Sequence, residues 1–296
     1  MFKRFLTIVL LSIGLLAFAA CSGSGGDEPT ATTPGAAAST LEGEALTELS
    51  AIWDVPVREP ANIAEEITTT ELLQLSPLTP GELLVTIHTN LGDITLRFFP
   101  TEAPMAVENF LTHAWSGYYD GITFHRVIDE FMMQGGCPEG TGAGGESIWG
   151  EGFGAEPSPN LRHFRGALAM AQTAMPNSIG SQFFIVQNTS IDSRQRSEFI
   201  ELLEIQDEIW EYPDGSYVRV GDVFTEESLR HYMNYGGTPF LDWHFRDDAF
   251  TVFGHVVLGM DVVDAIASLE TDEGDRPLEP VIMDGFTFFL YQGGAS

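Results

Sequence analysis

The residues of this chain best suited to chemistry lie in Phe124-His125-Arg126-Val127-Ile128-Asp129-Glu130-Phe131-Met132-Met133-Gln134-Gly135-Gly136, where a permanent cation and an amide stand among large apolar side chains. Arginine is ordinarily exposed. The mixture is therefore either a surface arginine at a strand end or a pair of polar groups kept in an apolar groove for use. Alternation puts Phe124, Arg126 and Ile128 on one face of a strand, with His125 and Val127 on the other. A second short strand, 131–134, follows the Asp129-Glu130 turn. Arg126 and Gln134 then project from neighbouring strands into one groove. An arginine held there is an always-charged, rigidly forked hydrogen-bond donor.

Other chemistries lack the spacing they need. Gly140, Gly142 and Gly145 satisfy G-x-G-x-x-G, but no helix pattern follows and no βαβ unit surrounds them, so they read as a mobile loop. The seven histidines form no H-E-x-x-H motif and no Cys/His cluster, so no metal site and no cofactor is expected. Ser181 sits in Gly180-Ser181-Gln182 without an identifiable base, which disfavours a hydrolase.

A second stretch, Ala167-Leu168-Ala169-Met170-Ala171-Gln172 running on through Pro176-Asn177-Ser178-Ile179-Gly180-Ser181-Gln182-Phe183-Phe184, completes a pattern. FHR, FM-x-QGG, a small-residue MA segment and PN-x-x-GSQFF occur in order, and Thr238-Pro239-Phe240-Leu241-Asp242 and Val252-Phe253-Gly254-His255-Val256 follow. In these motifs the chain resembles the cyclophilins, over 83–189 and again over 238–291. The resemblance implies a peptidyl-prolyl cis-trans isomerase acting on proline-containing polypeptides, with Arg126 as the catalytic donor. Phe131, Met132, Phe184 and Leu241 match the positions that line the proline pocket, although each also reads as core. Gln134 would contact the substrate backbone, and Ala171 and Gln172 would form the rim, Gln172 replacing the usual Asn. His125 and Gln182 fall beside the same groove. Phe240 stands where cyclosporin-sensitive members carry Trp, and Phe250 where many carry His, so weak cyclosporin binding is expected. A proline-gripping chaperone module without useful turnover is the alternative.

The elements that must position these groups are legible from periodicity. Two alternating runs within 85–99 joined at Asn90-Leu91-Gly92-Asp93 predict a hairpin. Pro104 opens a helix with the stripe Val107, Phe110, Leu111 and Ala114, ended by Gly117. A second helix, 260–269, carries Val262, Ile266 and Leu269, and 281–291 is a closing strand. Many antiparallel strands and two helices predict a mainly β fold, a closed eight-stranded barrel capped by helices, which is also the architecture of the family. The isomerase domain is expected over 81–291, interrupted by an inserted helical flap at 191–237. Phe199, Leu202, Leu203 and Trp210 mark one flap helix, Pro213-Asp214-Gly215 a turn, and Thr225 the cap of a second helix with Leu229, Tyr232 and Met233.

Formal charge is -30, from 43 acidic and 13 basic residues, a field that repels nucleic acid and anionic lipid. A monomer is expected. Lys3 and Arg4 precede an uncharged run, 5–20, shorter than the ~20 residues of a membrane span but suited to a signal peptide over 1–20. Phe18-Ala19-Ala20-Cys21 resembles a bacterial lipobox with Phe18 in the usual Leu position. Lipidation of Cys21 would anchor the protein on the outer face of the cytoplasmic membrane or on the outer membrane; cleavage at an A-x-A-like site with plain secretion is the alternative. Residues 21–40 read as a flexible tether and 41–80 as an extension packing on the barrel through residues such as Leu46, Leu49, Ile52, Trp53, Leu72, Leu73 and Leu75. The other cysteine, Cys137, reads as inert packing. If Cys21 is lipidated, Cys21→Ala is expected to move the protein from membrane to soluble fractions or block maturation; unchanged membrane retention with normal processing would contradict this.

Overall fold

The computed structural model describes residues 57–58, 72–211, 215, 217–242 and 249–293. The leader, Cys21, the tether and most of the extension lie outside them, as do Pro213 and Asp214 of the flap turn. One mixed sheet runs in the order β1 (Val57–Arg58), β11 (Met283–Tyr291), β2 (Leu83–Thr89), β3 (Gly92–Phe98), β10 (Val252–Leu258), β6 (Ala167–Met170), β7 (Phe183–Val186), β5 (Met132–Gly135) and β4 (Arg126–Ile128). Every pairing is antiparallel except β1 on β11. The eight strands β2 to β7, β10 and β11 form a curled antiparallel sheet, as the sequence predicts. Its two ends meet ahead of β4. Thr123 bridges Ile282, the Phe124 N–H donates to the Val281 carbonyl at 2.9 Å, and the Met283 N–H donates to the Ile122 carbonyl at 2.9 Å.

Period two splits the apolar residues into two populations. Val85, Ile87, Ile94, Leu96, Val127, Met133, Leu168, Phe183 and Ile185 point inward to the main core. Helix α1 (Pro104–Trp115) lays Val107, Phe110, Leu111 and Ala114 against it, and α5 (Met260–Ala267) adds Val263 and Ile266. Phe110 is central, its ring edge-on to Phe183 at 5.1 Å and 5.4 Å from Tyr119. The outward residues of neighbouring strands, among them Met132, Ala167, Ala169, Phe184, Val186 and Val252, make a second buried cluster on the other side of the sheet. Strands buried on both faces explain why β2 and β3 carry so few exposed positions; even their outward Thr86 and Thr95 are buried, hydroxyl to hydroxyl at 2.9 Å.

Two expectations fail locally. Phe124 does not share a face with Arg126: strand geometry begins only at Arg126, and the bond of Phe124 to Val281 turns its ring into the core beside Val127. Trp210 is not on a flap helix but on β8 (Ile209–Glu211), which pairs with β9 (Tyr217–Arg219). Otherwise the flap is helical, with α2 (Ser193–Glu204), a short α3 (Val220–Val223) and α4 (Glu226–Tyr235). Asp192 and Gln195 close a capping box on α2, and Thr225 caps α4 through the Ser228 N–H. Phe199, Leu202, Val220, Leu229 and Tyr232 pack around Phe164 of the barrel as a third cluster.

The described end of the extension enters the barrel through a polar residue. Gln74, in the 3-10 turn Leu73–Leu75, is 2% exposed. Its Nε2 donates to the Arg162 carbonyl at 2.8 Å, and its Oε1 accepts the Arg162 N–H at 2.6 Å. Arg97, paired with Glu82 at 2.8 Å, reaches the Ser76 carbonyl at 2.6 Å. Gln74→Ala is expected to lower unfolding free energy by about 1–3 kcal/mol, because it leaves buried backbone groups of Arg162 unpaired. Chemical denaturation checks this, and an unchanged midpoint would show that the extension is dispensable.

Candidate active site

Register assembles the site. Arg126 pairs directly with Gln134, Gln134 with Phe184, and Phe184 with Ala169. Directly opposed residues share a face, so one row across β4, β5, β7 and β6 carries cation, amide, aromatic ring and small residue on the outer side of the sheet. The neighbouring row supplies Ile128 and Met132. The small Ala169 and Ala171 are buried in the apolar cluster on this face.

Arg126 has a side chain 22% exposed, and its Nε–H donates to Asp275 Oδ2 at 3.2 Å. Asp275 comes from a turn whose carbonyl also accepts the Val127 N–H at 2.7 Å, so this turn is fastened to β4. Gln134 is buried, and its Nε2 donates to Gln182 Oε1 at 2.9 Å. Gln182 in turn donates to the carbonyls of Gly142 and Gly144 at 2.9 and 2.7 Å. The glycine loop expected to be mobile is thus tied to the groove by an amide relay. Cys137 is fully buried beneath that loop, its thiol 3.6 Å from the Ala143 carbonyl.

The apolar part lies beside this polar end. Met132 and Phe184 are buried, while Phe131, Leu241 and Phe250 are partly exposed around them. Phe250 stands edge-on to Phe184 at 5.8 Å. Phe240 is 44% exposed at the lip, its ring 5.7 Å from Phe131. Ala171 donates its N–H to the Gln182 carbonyl at 2.9 Å, and Gln172 Nε2 donates to the Ala249 carbonyl at 3.2 Å. Of the residues expected from sequence, Cys21 lies outside the described residues. Arg126, Gln134 and Phe184 thus share one row of the outer face, and Met132, Ala171, Phe131, Leu241 and Phe250 belong to the apolar cluster on that face. Three that sequence reading left unassigned join them: Asp275 on Arg126, and His163 with Asp242 behind Phe184. Asp275 gave no signal, being one acid among many in a chain this acidic. Asp242, placed directly after Leu241, was visible as a motif residue without a role.

The chain matches the family described as cyclophilin type peptidyl-prolyl cis-trans isomerase over residues 84–287. It belongs to the cyclophilin family. A Staphylococcus aureus protein provisionally named a peptidyl-prolyl cis-trans isomerase is 43% identical over 204 residues, covering 69% of this chain and 90% of that one. A Staphylococcus saprophyticus protein of the same provisional name is 41% identical over the same shares. Among solved structures, a cyclophilin type peptidyl-prolyl cis-trans isomerase of Cryptosporidium parvum superposes with a TM-score of 0.50 at 28% identity, over 70% of this chain and 97% of that one. A second structure of it, determined in the presence of the dipeptide Ala-Pro, gives a TM-score of 0.50 at 28% identity, over 71% and 99%.

His125 is the site's conspicuous titratable group, and its surroundings keep it neutral. Burial lowers its pKa to about 4, helped by the cations of Arg276 and Arg126. Its Nδ1 makes no hydrogen bond among the described residues. A ring that resists protonation this far is unsuited to proton transfer near neutrality. An NMR titration is expected to find His125 uncharged from pH 8 to 5, with a midpoint near 4; a midpoint at the ordinary value near 6.5 would contradict the described burial.

Proposed function

We propose that this cyclophilin accelerates rotation about X-Pro bonds with Arg126 as the catalytic donor. The proline ring rests against Phe131, Met132, Phe184, Leu241 and Phe250, Gln134 holds the substrate backbone, and Ala171 and Gln172 border the path of the chain. His125, Gln182 and Phe240 complete the walls without entering the chemistry. The observation that carries this reading is the direct pairing of Arg126 with Gln134 on the face that also bears Phe184.

The reaction needs neither nucleophile nor proton carrier. A planar amide resists rotation by about 20 kcal/mol because twisting removes its resonance. As the bond twists, the proline nitrogen becomes pyramidal and regains a lone pair. A donor fixed opposite that nitrogen stabilises the twisted state more than either planar one. One charge-assisted hydrogen bond of about 1.5–3 kcal/mol supplies about ten- to a hundredfold. The rest comes from seating the amide in a water-poor apolar groove, which disfavours the charge-separated planar form. Asp275 bonds the guanidinium through Nε, which fixes the direction of the fork.

The leader pattern supports a setting outside the cytoplasm, with Cys21 carrying a lipid and the clients being exported polypeptides that fold there. Full-length protein is expected to accelerate isomerisation of a short Ala-Pro peptide in a protease-coupled assay, and Arg126→Ala to lower kcat/KM at least tenfold while the far- and near-UV spectra stay native. Peptide binding by the wild type without any acceleration would instead make it a gripping module. An unchanged rate in folded Arg126→Ala would remove Arg126 from the mechanism.

A further inference from the structure

Behind the aromatic pocket lies a buried polar cluster that joins it to the flap. Asp242, with a side chain 8% exposed, closes the 3-10 turn Pro239–Leu241 that carries Phe240 and Leu241. Its Oδ1 accepts both the backbone N–H and the Nδ1–H of His163, each at 2.8 Å. Its Oδ2 accepts the hydroxyl of Tyr232, which projects from α4 of the flap, and lies 3.9 Å from Nε of Arg162. A carboxylate has no proton to give, so Nδ1 of His163 is the donor in this bond. Nε2 makes no hydrogen bond among the described residues. With Leu161, Leu241, Phe250 and Val252, His163 lines a cavity of about 10 Å³, room for one water at most.

The His163 ring is also a wall of the pocket. It lies nearly parallel to Phe184, 10° apart with centroids at 6.1 Å, and edge-on to Phe250 at 6.3 Å. The exit of the flap grips the backbone of the same residue. Gly237 crosses so closely, with φ +116°, that an added Cβ would stand 2.6 Å from the His163 carbonyl, and the Thr238 N–H donates to that carbonyl at 2.8 Å. Tyr232 is 2% exposed, its ring 4.7 Å from Phe164 and 5.9 Å from Phe199.

We infer that the 191–237 insertion is a positioning element of the proline pocket: Tyr232 on the flap holds Asp242, Asp242 holds His163, and His163 backs the rings of Phe184 and Phe250. The inference rests on the isomerase reading above and extends it to the determinants of substrate affinity. Loosening His163 widens a pocket that grips the proline ring alike in planar and twisted amides. The loss is therefore one of uniform binding, which raises KM and spares kcat.

The test uses full-length protein and a short Ala-Pro peptide. Tyr232→Phe removes the hydroxyl and keeps the ring against Phe164 and Phe199. It is expected to raise KM about three- to tenfold, the worth of one buried hydrogen bond, with kcat within about twofold. His163→Ala is expected to raise KM further, and His163→Asn, whose amide can still donate to Asp242, to restore part of the loss. A residue that only stabilises the fold would shift the melting temperature and leave KM where it was. Unchanged KM in folded Tyr232→Phe and His163→Ala would overturn the inference. Should the wild type show no turnover, the isomerase reading fails, while the peptide Kd measured on the same proteins still decides this one: equal Kd values refute it, weaker binding in the variants upholds it.

Discussion

A guanidinium cannot lose its charge, and here it must be kept on a largely apolar face without dissolving that face in water. Cross-strand register meets this constraint. Arg126 stands opposite Gln134 and Gln134 opposite Phe184, so the cation lies at the polar end of one row and the aromatic floor begins two strands away. Asp275 takes the Nε–H and Gln182 anchors the amide of Gln134. A slip of one residue in β4 or β5 would turn these groups into the hydrophobic interior. The inward side chains Val127, Met133, Phe183 and Ile185 prevent the slip, because it would expel them from the core.

The same alternation explains why the sheet has two apolar faces. One closes over α1 and α5 as the structural core, and the other is completed only by what the chain lays upon it: Leu73 from the extension, Leu161, Leu241 and Phe250. A pocket made from the outer face of a barrel takes its floor from strands and its walls from connections. The flap at 191–237 lies next to such a wall, and the contacts of Tyr232 with Asp242 and of Gly237 with His163 make it part of the construction.

Sequence periodicity was enough to read the curled antiparallel sheet, the two helices packed on it and the pairing of Arg126 with Gln134, because each depends on local spacing or on strands a turn apart. The wider set of groove residues follows from the order of the family's motifs. Arg126 with Gln134 is the clearest case: two short strands around Asp129-Glu130 leave little freedom in register. Phe124 was misplaced because the strand begins two residues later than alternation suggests, and that start is set by a bond to Val281 far along the chain. Trp210 was misplaced because an aromatic residue close behind a helix fits its stripe as readily as a hairpin. Gln74 on Arg162, Asp275 on Arg126 and Asp242 on His163 left no trace in spacing. Each joins segments far apart in sequence, and each residue type occurs many times over on ordinary surfaces.

The central claim is that Arg126 acts on the twisted amide and not on the bound planar isomers. NMR exchange and line-shape analysis of an Ala-Pro peptide separates the two, since it yields cis and trans affinities and the rate of interconversion on the protein. For Arg126→Lys, which keeps the charge but loses the planar fork and the Nε–H held by Asp275, the account predicts cis and trans Kd values within about threefold of wild type. It also predicts interconversion on the protein slower by at least tenfold. Interconversion at the wild-type rate, or a loss confined to binding, would contradict it.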